Sequence, residues 1–173
     1  IDKLRRWISL GLKSVAVPIY SKSPELHDRI VGETAHGVLL KSLDQAHALG
    51  VQIHMHTLAL KQTSHELTAL SEMVQERWGS FLSVAPLRDK EGTFDWSSEA
   101  MTWTEINDFV EGLPEDSSVR LVGVPDCVGR GWSRGAANTV SVYFMTQKRV
   151  YAEICEPCLD RNHCPGVVEA FHR

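Results

Sequence analysis

The sequence predicts an α/β fold built from βα units and followed by a cysteine-rich tail. Strand-like runs start near residues 14, 51, 80 and 118, with helix-like runs between them. That is the spacing of parallel strands joined by helical crossovers. After Cys127 the texture changes to a Gly-rich stretch and a hairpin pattern. Three of the four cysteines then crowd into "CEPCLDRNHCPG", residues 155–166.

Each element follows from local pattern. Residues 2–10, "DKLRRWISL", set Leu4, Trp7, Ile8 and the nearby Leu12 on one side of a helix that Gly11 stops. "KSVAVPIYS" (13–21) is β-rich and runs into an expected loop, "KSPELHDRIVGE". A second amphipathic helix is expected around 35–49, closed by Gly50, and "VQIHMHTLAL" (51–60) alternates as a strand does. Ser64 is placed to cap the helix "HELTALSEMVQERWG", with Leu67, Leu70 and Val74 inward and Gly79 at its end. "SFLSVAPL" (80–87) reads as the third strand, 103–112 as a helix and "SVRLVGVP" (118–125) as the fourth strand. Beyond the Gly-rich "GRGWSRGAAN", the runs "TVSVYFMT" and "RVYAEIC" read as a hairpin that delivers Cys155 into the cysteine group.

Whole-chain properties narrow the classes. The 173 residues are 43% hydrophobic and 23% charged, enough to bury a core. A complete eight-unit barrel takes about 250 residues, so a partial barrel is expected, with exposed sheet edges. A net charge of −4 leaves no basic footprint for nucleic acid. No apolar run approaches the ~18 residues of a membrane helix, and no signal peptide opens the chain. A cytoplasmic location, where thiols stay reduced, is the expectation. The chain starts at Ile1 inside an apparent helix, so a processed start or the later part of something longer is expected.

Cys155, Cys158 and Cys164 form C-x2-C-x5-C, and Cys127 directly follows a predicted strand. Four thiols match the ligand count of a structural zinc and of a [4Fe–4S] cluster. A two-residue gap lets two thiolates converge from one turn, and Pro165 would turn the chain at the last ligand. Paired C-x2-C motifs suit zinc better, and only one pair is present. Iron–sulfur ligation is therefore favoured, with zinc at the four cysteines as the alternative. Two disulfides, or four unrelated thiols, are less consistent with the compartment and spacing. His163 beside a ligand reads as a solvated loop residue.

In a parallel sheet the functional groups gather at the C-terminal strand ends. Those ends hold Tyr20 and Ser21, His54 and His56, and Pro86 with Arg88. His54 and His56 share a strand face, a spacing also used by metal ligands, but no third ligand is identifiable. His27 and Asp28 allow an acid–base pair, but local capping is the better reading for such side chains. Trp96 and Trp103 are read as packing anchors.

"VAVPIYSKSPELHDRIVG" and "GVLLKSLDQAHALGVQIHMHTLALKQTSHELTALSEMV" resemble the later barrel half of radical SAM proteins. "VPDCVGR" with "YAEICEPCLDRNHCPGVVEAFHR" is similar to the auxiliary-cluster (SPASM/twitch) extension of the peptide-modifying members. The resemblance implies a partial (βα) barrel half over residues 1–120 and a cluster-binding extension over 121–173. It implies that Cys127, Cys155, Cys158 and Cys164 ligate an auxiliary [4Fe–4S] cluster, and that Ser21 and His56 contact S-adenosylmethionine. It also implies a peptide or protein substrate and a reductase or flavodoxin-type electron donor. The C-x3-C-x2-C motif that defines the family is absent here. By analogy it would precede Ile1 with the first three of six strands, so these residues alone would not start radical chemistry. The contrasting expectation is a non-catalytic α/β binding or scaffolding module with a structural zinc held by the four cysteines.

Overall fold

A strand whose alternate residues are buried must place one face against other elements, and that alternation sets the layers here. The computed structural model describes residues 2–87, 96–125, 127, 149–159, 161–162, 164 and 166–168. Helix α1 (Asp2–Ser9) leads to β1 (Ser14–Pro18), α2 (Pro24–Val31), α3 (His36–Ala48) and β2 (Gln52–Ala59). A 3-10 segment (Lys61–Glu66) precedes α4 (Leu67–Trp78), β3 (Leu82–Pro86), α5 (Trp96–Glu99), α6 (Trp103–Glu111) and β4 (Val119–Leu121). The short strands β5 (Arg149–Val150) and β6 (Val167–Val168) follow, with a 3-10 turn at Glu153–Cys155 between them.

The fold is α/β, with a four-stranded parallel sheet in the order β1-β2-β3-β4. Strands β1 and β2 run parallel in the register Ala16 opposite His54 and Pro18 opposite His56. The chain divides into two compact units: residues 1–57, 65–83 and 115–119 in one, and 58–64, 84–114 and 120–173 in the other.

In the first unit Ile53, Met55 and Thr57 form the buried side of β2, beside Leu43 and Ala46 from α3 and Leu67, Leu70, Val74 and Trp78 from α4. The α4 set recurs at helical spacing, which turns one face of that helix to the core. In the second unit Val84, Leu87, Met101, Ile106, Val110, Leu121 and Val124 are buried. The opposite side of the strands is barer: Ala16, Pro18, Gln52 and His56 are exposed and His54, Ser83 and Ala85 half-buried. Parallel sheets are ordinarily covered on both faces.

Three expectations change. The segment after β1 is not a loop but α2, because Ser23 caps it by accepting the Leu26 N–H, Pro24 opens it and Gly32 closes it at φ 83°. Ser64 does not cap α4; its hydroxyl donates to the Lys61 carbonyl inside the 3-10 segment, and the α-helix starts at Leu67. Of the expected hairpin, the first strand lies outside the described residues. Among the described residues Arg149 and Val150 pair with Val168 and Val167, in antiparallel register, and Glu153–Cys155 has left the strand for a 3-10 turn. Trp7 lies exposed on α1 beneath the Lys3 ammonium, 5.2 Å from its ring centre, while Leu4, Ile8 and Leu12 are half-buried.

Helices α3 and α4 are tied by Asp44, which accepts from Arg77 Nε (2.7 Å) and Nη2 (2.6 Å) and from Trp78 Nε1 (3.1 Å). Both charged partners are more than a third exposed, so this fork contributes about 1 kcal/mol at most. Burial of the α4 face carries far more. Among the described residues, no helix is long and apolar enough to cross a membrane.

Candidate functional site

The C-terminal end of β1 is set by its pairing. Ile19 N–H donates to the His56 carbonyl at 2.9 Å, which carries the parallel ladder to the last residue before the loop. Tyr20 is half-buried and Ser21 wholly buried. The single hydroxyl proton of Ser21 goes to Glu66 Oε2, and its oxygen accepts the Ser23 N–H at 2.9 Å. Lys22 N–H reaches the same Glu66 oxygen at 3.0 Å. A ligand at Ser21 would therefore have to donate to it.

Glu66 is the residue around which loop 21–23 is folded. Burial pushes its carboxyl upward, but the Ser21 hydroxyl and the Lys22 amide outweigh this and hold it below the usual range. A carboxylate accepting several hydrogen bonds is costly to delete, at about 1.5–3 kcal/mol per charged bond. Glu66→Ala is expected to lower the unfolding free energy by about 2 kcal/mol or more. Chemical denaturation checks this, and a change below about 0.5 kcal/mol would contradict it.

His56, expected at a strand end, instead lies inside β2 opposite Pro18, because the strand runs on to Ala59; it stands on the less covered side. The residue is exposed as a whole, yet partial desolvation of its ring lowers its pKa and favours neutral imidazole. His54 shares that side, with its ring centre 6.1 Å from that of Phe81. Pro86 ends β3 in a buried position, and Arg88 lies outside the described residues. A cleft of about 300 Å³ lies at the opposite, N-terminal ends of β2 and β3, lined by His47, Gln52, His54, Trp78 and Phe81. It is away from Ser21 and His56.

The His27–Asp28 pair has the capping role expected of it. Asp28 Oδ1 accepts N–H groups from Ala35 (3.0 Å) and His36 (2.8 Å), and so satisfies the start of α3. His27 is buried, and its Nδ1 accepts the Tyr20 N–H at 3.2 Å. The equally buried His36 lies edge-on to it, ring centres 5.2 Å apart. Burial, then the His36 charge, lower the His27 pKa, against a smaller opposing pull from Asp28. A histidine with a depressed folded pKa gives its full stability above the unfolded value of 6.5. Stability is then lost as pH falls from there through the folded value. An NMR titration of the His27 ring is expected to show a midpoint below 6.5; a midpoint at or above 6.5 would contradict the neutral packing.

The cysteines fall in the second unit. Cys155 and Cys164 are half-buried, and Cys127 and Cys158 exposed. Although Cys127 is exposed as a residue, partial burial of its thiol pushes its pKa up, followed by the charges of Cys164, Cys155 and Cys158. All three cysteines of the tail therefore act electrostatically on the thiol that follows the fourth strand. Successive turns present them: Cys155 N–H donates to Ala152 O (2.8 Å), Cys158 N–H to Cys155 O (3.3 Å) and Arg161 N–H to Cys158 O (3.3 Å). Among the described residues, no three His, Cys, Asp or Glu side chains come together as a group that could hold a metal ion. His163 and Pro165 lie outside the described residues.

Read from sequence, Glu66 and Tyr151 carry no role of their own and Gly166 enters only as the end of the cysteine run; all three act through contacts that only the fold creates. Comparison with protein-family models, with curated proteins and with solved structures finds no match.

Proposed function

We propose that the chain is part of a radical SAM enzyme, contributing an auxiliary [4Fe–4S] cluster site and part of the S-adenosylmethionine pocket. The complete enzyme would cleave S-adenosylmethionine reductively and modify a substrate. That the substrate is a peptide or protein, and the electron donor a reductase or flavodoxin-type protein, follows from the sequence resemblance.

The observation that carries this reading is the set of four thiols in one unit, with Cys155 and Cys158 presented on successive turns of the tail and Cys127 following β4 within reach of the tail's charges. Four thiols without a carboxylate are a soft donor set, suited to an iron–sulfur cluster or to zinc. A zinc ion needs its sulfurs about 2.3 Å away, packed tightly on one another. Among the described residues no three such side chains come together as a metal-holding group, so the choice of the cluster over zinc rests on the sequence, where only one C-x2-C pair is present. When bound, the cluster supplies a one-electron redox centre, and the cysteines hold it in place.

The partly bare side of the β2 strand supports the barrel reading, because the interior face of a barrel is covered only when the barrel closes. In this reading His56 contacts the cofactor, and neutral imidazole suits hydrogen bonding to a ribose hydroxyl or carboxylate. Ser21 and Glu66 together hold the loop that borders the pocket.

Anaerobic reconstitution with ferrous iron and sulfide tests the proposal. The expected product is brown, absorbs broadly near about 400 nm and retains iron with acid-labile sulfide after desalting. Stoichiometric zinc and no colour would instead establish a structural zinc module built on the four cysteines.

A further inference from the structure

The segment between β5 and β6 is closed at its base by the pairs Arg149–Val168 and Val150–Val167. Tyr151 is the first residue inside that closure. Its hydroxyl donates to the Cys164 carbonyl oxygen at 3.1 Å. The guanidinium of Arg161 lies over its ring, 5.2 Å from the centre. On Tyr151 rests Gly166, at φ 66°, where an added Cβ would sit 3.3 Å from ring atoms Cε1 and Cζ and from the Val150 carbonyl oxygen. Neither a side chain nor that backbone conformation is readily accommodated there, so glycine is required. The gain is at sulfur: Gly166 N–H donates to Cys164 Sγ at 3.4 Å.

These contacts form one device. Tyr151 holds the backbone of Cys164 from one side while its ring seats Gly166, whose amide is then aimed at the Cys164 sulfur. We propose that Tyr151 is a positioning residue for the four-cysteine site, fixing Cys164 and the amide–sulfur hydrogen bond from Gly166. The proposal rests on the metal-site reading of the preceding subsection.

The consequence is electronic as well as steric. An amide donating to a ligand sulfur stabilises the extra negative charge of a reduced cluster, so losing it lowers the reduction potential. A residue that merely supported the fold would leave that potential unchanged.

The test uses Tyr151→Phe in the full chain, reconstituted with ferrous iron and sulfide beside the wild type. Phenylalanine keeps the ring but removes the bond to the Cys164 carbonyl. Iron and sulfide content equal to wild type is expected, with a more negative midpoint potential and iron release to a chelator about 10-fold faster. Gly166→Ala is expected to shift both in the same direction and further. Wild-type potential and release rate in Tyr151→Phe would overturn the proposal. If the wild type takes up zinc and no sulfide, the cluster reading alone fails. The positioning role is then read from the thiolate-to-metal bands of the cobalt(II)-loaded chains: a shift in Tyr151→Phe supports it and coincident spectra overturn it. A wild-type chain that retains neither metal overturns both.

Discussion

Cys127→Ala is expected to reduce the iron and sulfide retained by the reconstituted chain about 10-fold or more, while leaving the fold intact. The residue is the decisive one to change because sequence separates it from the other three, and the link between them is the reach of their charges to its thiol. It is exposed, so alanine leaves no core cavity and circular dichroism should stay at wild type. Alanine removes a thiolate and supplies no replacement, opening one corner of the site. Cysteine ligation contributes folding energy only when metal is bound, so the loss shows in metal content and in the stability of the loaded chain. Cys164→Ala is expected to behave the same way. If Cys127→Ala retained wild-type iron and sulfide, the site would be a three-cysteine one and Cys127 a bystander.

Leu70→Ala is expected to destabilise the chain by about 2–5 kcal/mol, the cost of removing a buried leucine and leaving a cavity behind. Leu70 is fully buried in the middle of α4, one turn from both Leu67 and Val74, which are also fully buried. Since the whole stability of such a domain is about 5–15 kcal/mol, this one change removes a large share. Urea denaturation checks it, with Leu70→Met as a volume-conserving control expected to cost less than about 1.5 kcal/mol. A loss below about 1 kcal/mol in Leu70→Ala would show that α4 does not pack as described. The effect also bears on function, because α4 follows directly from Glu66, the anchor of loop 21–23.

Much of the fold was legible because the deciding interactions are local. The alternation of β2 and the helical recurrence of Leu67, Leu70 and Val74 read directly as strand and helix. What misled was also local. "KSPELHDRIVGE" contains proline, glycine and charges in loop-like density, yet the same residues read as a complete short helix once Ser23 is taken as the cap. Ser64 looked like a cap because serine preceding an amphipathic run usually is one, but a 3-10 turn intervened.

The candidate site divides along the same line. Cysteine spacing is a sequence property, so Cys155, Cys158 and Cys164 could be singled out at once. Ser21 could be placed at a strand end, but not its engagement with Glu66, which depends on two loops meeting. Tyr151 and Gly166 lie within the segment that the cysteines single out, but their contact with each other and with Cys164 is not readable from it, because it exists only after β5 and β6 pair.

The central claim is that Cys127, Cys155, Cys158 and Cys164 hold one [4Fe–4S] cluster. Mössbauer spectroscopy of the chain reconstituted with ⁵⁷Fe tests it most directly, because it reports the iron environment whatever reaction the enzyme performs. The account predicts the signature of a single all-thiolate cubane, with about four iron and four sulfide per chain. Iron that washes out on desalting, leaving one tightly held zinc and no sulfide, would contradict it.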